Sequence, residues 1–142
     1  MTGMSNQSDG GERQYDLAST RPEIDQAVSE ILEACTDQGY EESATFAIRL
    51  SLEEAMANAM MHGNAGDESK RIRLSCRIDG KQICLEIQDE GPGFDPDTVP
   101  DPTADENLTI ASGRGLALIK AFMTRVEIPR PGNQLKLIFE RV

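Results

Sequence analysis

"RIRLSCRIDGKQICLEIQDEG" (residues 71–91) carries the pattern that decides the fold. Ile72, Leu74, Cys76 and Ile78 alternate with Arg71, Arg73, Ser75 and Arg77. A period of two sends alternate side chains to opposite faces of a strand. Asp79-Gly80 is a two-residue hairpin signal. The return strand then brings Ile83, Leu85 and Ile87 to one face. A sheet that is apolar on one side only has one wet face and one covered face.

Working outward, the remaining segments supply the cover and more strands. Downstream, "GLALIKAF" (115–122) reads as a short helix. "TRVEI" and "QLKLIFERV" read as two strands joined through "PRPGN", with Leu135, Leu137 and Phe139 facing one way. Upstream, "RQYDLA" (13–18) fits a short edge strand with Tyr15 and Leu17 on one face. In "TRPEIDQAVSEILEAC" (20–35), Thr20 and Glu23 have capping-box spacing and Pro22 suits a first turn. Ile24, Val28, Ile31 and Cys35 recur at helical spacing. A second helix is expected from about Glu41 to His62, with Ala44, Ile48, Leu52, Ala55, Met56 and Ala59 as its apolar stripe. The expected fold is α+β: a two-layer α/β sandwich with a mostly antiparallel mixed sheet, covered on one face by helices. It spans residues 13–142. Residues 1–12 have little to bury and read as a disordered tail.

The chain of 142 residues suits one domain with one sizeable core. Its formal net charge is −11. Phosphate neutralisation requires basic surface, so neither nucleic acid nor an anionic membrane is expected as a partner. Cys35, Cys76 and Cys84 are odd in number and lack a C-x-x-C spacing. They read as buried free thiols in a reducing compartment. No apolar run approaches a membrane span, and residues 1–13 hold no apolar signal core. The expected location is the cytoplasm.

Three constellations point to chemistry. In "EEAMANAMMHGN" (53–64), Glu54 and Asn58 are i and i+4 on one helix face, and His62 is another four residues on. The row suits a cleft edge or a solvated polar face. Glu53 lies off it, and Gly63 reads as a helix stop. In "IQDEGPGF" (87–94), Asp89 continues the parity of Ile83, Leu85 and Ile87. A carboxylate thus points to the covered side, where it needs a partner. Gly91 and Gly93 let backbone approach a ligand closely, although an Asx-type turn has the same signature. In "SGRGLALI" (112–119), Gly113, Arg114 and Gly115 precede a helix. Free backbone N–H groups and a guanidinium suit a phosphate, or form a flexible loop. The acidic stretch 95–111 between the last two is not periodic and is expected to be a lid.

In this order and spacing the segments resemble the N-box, G1-box and G2-box of the GHKL ATPase superfamily, the group of DNA gyrase and histidine kinases. The closer resemblance is to small stand-alone anti-sigma-factor serine/threonine kinases of the RsbW type. "LEEAMANAMMHGN", "IQDEGPGFDP" and "GRGLALIKAFMTRVE" resemble the three boxes, and "PGNQLKL" resembles the last hairpin. The resemblance covers roughly residues 15–142. It implies the Bergerat ATP-binding fold with an ATP lid at about 94–112. By position it implies ATP and Mg²⁺ as cofactors, with Asn58 as metal ligand and Glu54 as general base. Asp89 would accept a hydrogen bond from the adenine amino group, with Gly91 and Gly93 lining the adenine turn. Gly113, Arg114, Gly115 and Leu116 would form the phosphate-side loop. His62 is expected to shape the phosphate end. Thr124 departs from the family, which often has Asp there.

The resemblance implies an ATP-dependent protein kinase that acts as an anti-sigma factor by partner switching. Its partners would be a sigma factor and a STAS-domain anti-sigma factor antagonist, phosphorylated on serine, and it would be a homodimer. The alternative is a non-catalytic ATP-binding module that sequesters a protein partner. A detached histidine-kinase domain is disfavoured, because no segment offers a phospho-acceptor helical hairpin.

Overall fold

The computed structural model describes residues 4–5, 11–92, 111–129 and 132–141. The chain order is β1 (Met4–Ser5), β2 (Glu12–Ala18), α1 (Arg21–Asp37), α2 (Glu42–Asn58), a π-helical turn (Ala59–Gly63), β3 (Arg71–Ile78), β4 (Gln82–Gln88), α3 (Ala111–Phe122), β5 (Arg125–Glu127) and β6 (Gln134–Glu140). The sheet order is β1-β2-β3-β4-β6-β5. Every described pair is antiparallel. The helices lie on one face, so the two-layer α+β expectation holds. Parallel pairing, implied by a mixed sheet, is absent among the described residues.

The alternation in 71–88 is realised as written. Ile72, Leu74, Cys76, Ile78, Ile83, Leu85 and Ile87 are all buried. Tyr15, Leu17 and Leu137 extend this face, and Ile24, Ile31, Ile48, Leu52, Met56 and Ile119 pack on it from the helices. Among the described residues, no helix is long and apolar enough to cross a membrane.

Five details differ from expectation, each for a local reason. First, β2 is not an edge strand: Tyr15 and Gln14 pair with Met4 and Ser5 on one side, while β3 lies on the other. Part of the expected tail is therefore strand. Second, the capping box is not formed. The Thr20 N–H donates to the Ala18 carbonyl at 2.8 Å, so the Glu23 carboxylate reaches further back and accepts the Ala18 N–H at 2.9 Å.

Third, the hairpin turn centres one residue later, on Gly80-Lys81. The Asp79 carboxylate accepts the N–H groups of Lys81 and Gln82 at 2.7 and 2.9 Å, which places Asp79 at the turn's first position. Fourth, α2 does not run as regular helix to His62. After Asn58 the Asn64 N–H bonds to the Ala59 carbonyl at 2.8 Å, a wider i to i+5 closure. Fifth, Cys35 and Cys76 are buried free thiols, but Cys84 is only half-buried. It lies between the inward-facing Ile83 and Leu85 and so belongs to the other face of β4.

Polar anchors join the rest. Thr124 turns α3 into β5: its N–H donates to the Ile138 carbonyl and its hydroxyl accepts the Glu140 N–H, both at 2.8 Å. Arg141 lies over the Tyr40 ring at 4.6 Å and donates to the Gly39 and Gly80 carbonyls at 2.8 and 3.0 Å. That ties the α1–α2 loop to the β3–β4 hairpin.

Leu85 is fully buried on β4, between β3 and β6. Leu85→Ala should therefore cost about 2–5 kcal/mol of stability, read as a lowered urea midpoint in circular dichroism.

Candidate functional site at the α2 and α3 termini

Helices α2 and α3 pack in opposite directions. Phe46, near the start of α2, meets Phe122 at the end of α3, with ring centroids 6.2 Å apart. The first turns of α3 are thereby laid over the second half of α2. Gly115 makes the close fit possible. A Cβ there would stand 3.1 Å from Glu54 Cγ, 3.2 Å from Glu54 Oε1 and 3.3 Å from Asn58 Nδ2. Glu54 and Asn58 are both half-buried, whereas Glu53 is exposed, as expected. The structure brings together Glu54, Asn58 and Gly115.

Residues Gly113 and Arg114 are not in a loop before the helix. They lie inside its first turn, since α3 begins at Ala111. The backbone N–H groups of a first turn have no partner within the helix, so the anion-binding logic survives this shift. Leu116 is buried within the second turn of α3. Gly93 and the expected lid lie outside the described residues, apart from Ala111 and Ser112, which open α3.

The other end of the site is built at the C-terminus of β4. Asp89 is half-buried there, and its Oδ1 accepts the Gly91 N–H at 2.7 Å. The Asx-type turn is thus present, and the carboxylate still points toward the helical layer. A Cβ on Gly63 would stand 2.1 Å from Asp89 Oδ2, and one on Gly91 would stand 2.1 Å from the Gly63 carbonyl oxygen. No side chain fits at either position. From the sheet side, the Asp89 N–H donates to the Asn133 carbonyl at 3.0 Å. Burial pushes the Asp89 carboxyl above its ordinary pKa, opposed by the Gly91 N–H and by Lys70.

The His62 side chain is exposed. The π-helical turn rotates it off the Glu54–Asn58 row. It directly precedes Gly63, which meets Asp89. Asn64, which the sequence reading passed over, is fully buried. Its Nδ2 donates to the Arg71 carbonyl at 3.1 Å and its Oδ1 accepts the Glu90 N–H at 2.8 Å. Its only sequence signal was a polar residue directly after a helix-stopping glycine, which is also ordinary turn composition.

The donor set at the α2 end is all oxygen: one amide and one carboxylate. Among the described residues no group of three or more His, Cys, Asp and Glu side chains could cage a metal. Mg²⁺ takes few protein ligands and keeps phosphates and water around it, so this set fits a nucleotide-borne Mg²⁺.

Residues 17–139 match the model of a family described as the histidine kinase-like ATPase domain. The chain belongs to that family. ATP binding is the property of this family's domain. Curated relatives include the anti-sigma F factor of Clostridium beijerinckii, 25% identical over 97 residues, which cover 66% of this chain and 68% of that protein. The anti-sigma F factor of Bacillus cytotoxicus is 31% identical over 83 residues, 57% of each chain. Against two of these relatives the match spans 57% of the protein's length. The crystal structure of the RsbU and RsbW domains of Rv1364c from Mycobacterium tuberculosis superposes with a TM-score of 0.61 at 17% identity. It covers 90% of this chain and 31% of that one, and it shows a shared fold.

The direction of the Asp89 shift has a consequence for the ligand-free domain. The folded-state pKa lies above the unfolded one. Asp89 therefore favours the fold when protonated: its contribution is fully present below the unfolded value of about 3.9 and is lost as pH rises through the folded value. Asp89→Asn is neutral throughout. Without nucleotide it should melt above wild type at pH 7.5, and the difference should shrink toward pH 4, as followed by thermal denaturation.

Proposed function

We propose that this chain is an ATP-dependent serine/threonine protein kinase that acts as an anti-sigma factor. It would phosphorylate a serine of a STAS-type anti-sigma factor antagonist in a partner-switching circuit. The observation that carries the proposal is the convergence of Glu54, Asn58 and Gly115 at one end of a site whose other end is the half-buried Asp89. The anti-sigma F factors among its relatives support the choice of partners. It would work in the cytoplasm as a homodimer.

Each residue has a chemical part. Asp89 accepts the adenine amino N–H, and Gly91, whose missing side chain admits the Gly63 carbonyl, holds the turn that presents that carboxylate. The α3 first turn, with Gly113, offers free N–H groups to the phosphates, Arg114 adds positive charge, and Gly115 makes room beside Glu54 and Asn58. Asn58 would hold Mg²⁺, which supplies charge neutralisation across the phosphate oxygens when bound. Glu54 takes the proton of the attacking hydroxyl. The serine oxygen bonds to the γ-phosphorus, the bond from that phosphorus to the bridging oxygen breaks, and ADP leaves. The added phosphate charge then disfavours the antagonist's return to its complex. His62, exposed beside Gly63, would shape the phosphate end of the pocket.

Glu54→Gln should lower phosphotransfer by about 10²–10⁴-fold, the usual weight of a general base, with ATP affinity close to wild type. Radiolabel transfer to the antagonist and calorimetry with ATP would measure the two. Full kinase activity in that variant would remove Glu54 from its role. ATP binding without transfer even in wild type would favour the non-catalytic sequestering module.

A further inference from the structure

Three polar side chains are fully buried among the described residues: Ser19, Ser51 and Asn64. The hydroxyls of both serines have no partner, whereas Asn64 is bonded at both ends. Its backbone also closes the π-helical turn, through the Ala59 carbonyl at 2.8 Å. The carbonyl it reaches, that of Arg71, begins β3, and the amide it holds, that of Glu90, lies between Asp89 and Gly91.

These bonds join the two layers at one point. Among the described residues, the hydrogen bonds that link residues 42–64 to β3, β4 or the Asp89 turn are those of Asn64. Elsewhere α2 meets the sheet through apolar side chains, a non-directional contact. From Asn58 the path to Asp89 runs through one closed turn, one buried amide and one hydrogen bond. The Asn64 amide in it is hydrogen-bonded at both ends.

We propose that Asn64 is a positioning residue that fixes the separation of Asp89 from the Glu54–Asn58 pair, and that it thereby governs discrimination for the 6-amino group of the purine. The proposal rests on the nucleotide reading above. A ligand held by its phosphates at α3 presents its base at a set distance. Hydrogen bonds weaken steeply with length and angle. A shift of the Asp89 turn relative to α2 therefore degrades base recognition more than phosphate recognition.

The test compares ATP with inosine triphosphate, which differs by a 6-keto in place of the 6-amino group, by calorimetry with Mg²⁺. Wild type should prefer ATP. In Asn64→Ala, with folding checked by circular dichroism, ATP affinity should fall about tenfold or more, inosine triphosphate affinity should change little, and the preference should collapse. A variant that weakens both nucleotides equally, or keeps the wild-type ratio, overturns the proposal and leaves Asn64 a structural residue only.

Asn64→Asp gives a second reading should the alanine variant not fold. Its neutral carboxyl can donate to the Arg71 carbonyl and accept from Glu90, whereas its carboxylate cannot donate. The charged groups nearby are Glu90, Asp89, Lys70, and Arg71 with its partner Asp16. Their own titration is shared with wild type. Any repulsion between a carboxylate at position 64 and the triphosphate is shared by ATP and inosine triphosphate. The quantity compared is therefore the preference for ATP over inosine triphosphate, set against wild type at each pH. That preference should be collapsed at pH 8 and recover toward wild type at pH 5. A preference that stays flat with pH overturns the proposal. Wild type that binds neither nucleotide overturns the nucleotide reading instead.

Discussion

The approach of Gly63 to Asp89 is the constraint on which the site depends. A carboxylate oxygen lies where a Cβ of residue 63 would be, and the carbonyl of the same glycine lies where a Cβ of residue 91 would be. Two backbones and one carboxylate thus occupy space that any other residue type would claim. The π-helical turn after α2 and the end of β4 touch here directly, and the Asn64 hydrogen bonds lie beside that contact. Its counterpart is Gly115, where a missing side chain lets α3 settle against Glu54 and Asn58.

The π-helical turn is the local device behind the first of these contacts. A regular helix through His62 would have kept Glu54, Asn58 and His62 in one row. The extra residue in the turn presents Gly63 to the Asp89 turn and Asn64 to the interior, and leaves His62 exposed. Such insertions are rare in helices and gather at functional sites. The burial of Asp89 follows from the same geometry, as does its raised pKa. A site that receives a hydrogen-bond donor holds its carboxylate in partial desolvation until the donor arrives.

The fold was legible because its main signal is periodic. Alternation in 71–88 and helical spacing in 24–35 and 44–59 depend only on which residues are apolar, and burial follows those patterns closely. The pairing of Asp89 with a glycine turn and the Glu54–Asn58 spacing were legible for the same reason, since both are fixed by short-range geometry. The start of α3 was not: Gly113 and Gly115 argue for a loop by propensity, and packing against α2 overrides them. The π-helical turn and the Asn64 bridge were also hidden: the turn differs from a regular helix by one residue in its closure, and the bridge reaches partners seven and twenty-six residues away that no local pattern announces. Capping at Thr20 failed because its own N–H bonds to the Ala18 carbonyl two residues upstream.

The core thiols give the chain a chemical clock. Burial pushes Cys35 and Cys76 up to about 12, and both are closed to solvent. Thiolate is the reactive species, so an alkylating reagent meets these two sulfurs only when the helical layer lifts from the sheet. Cys84, half-buried on the opposite face, is reached without that opening. The rate at which Cys35 and Cys76 are modified, set against that of Cys84, would therefore record how often the two layers part, with no label added to the chain.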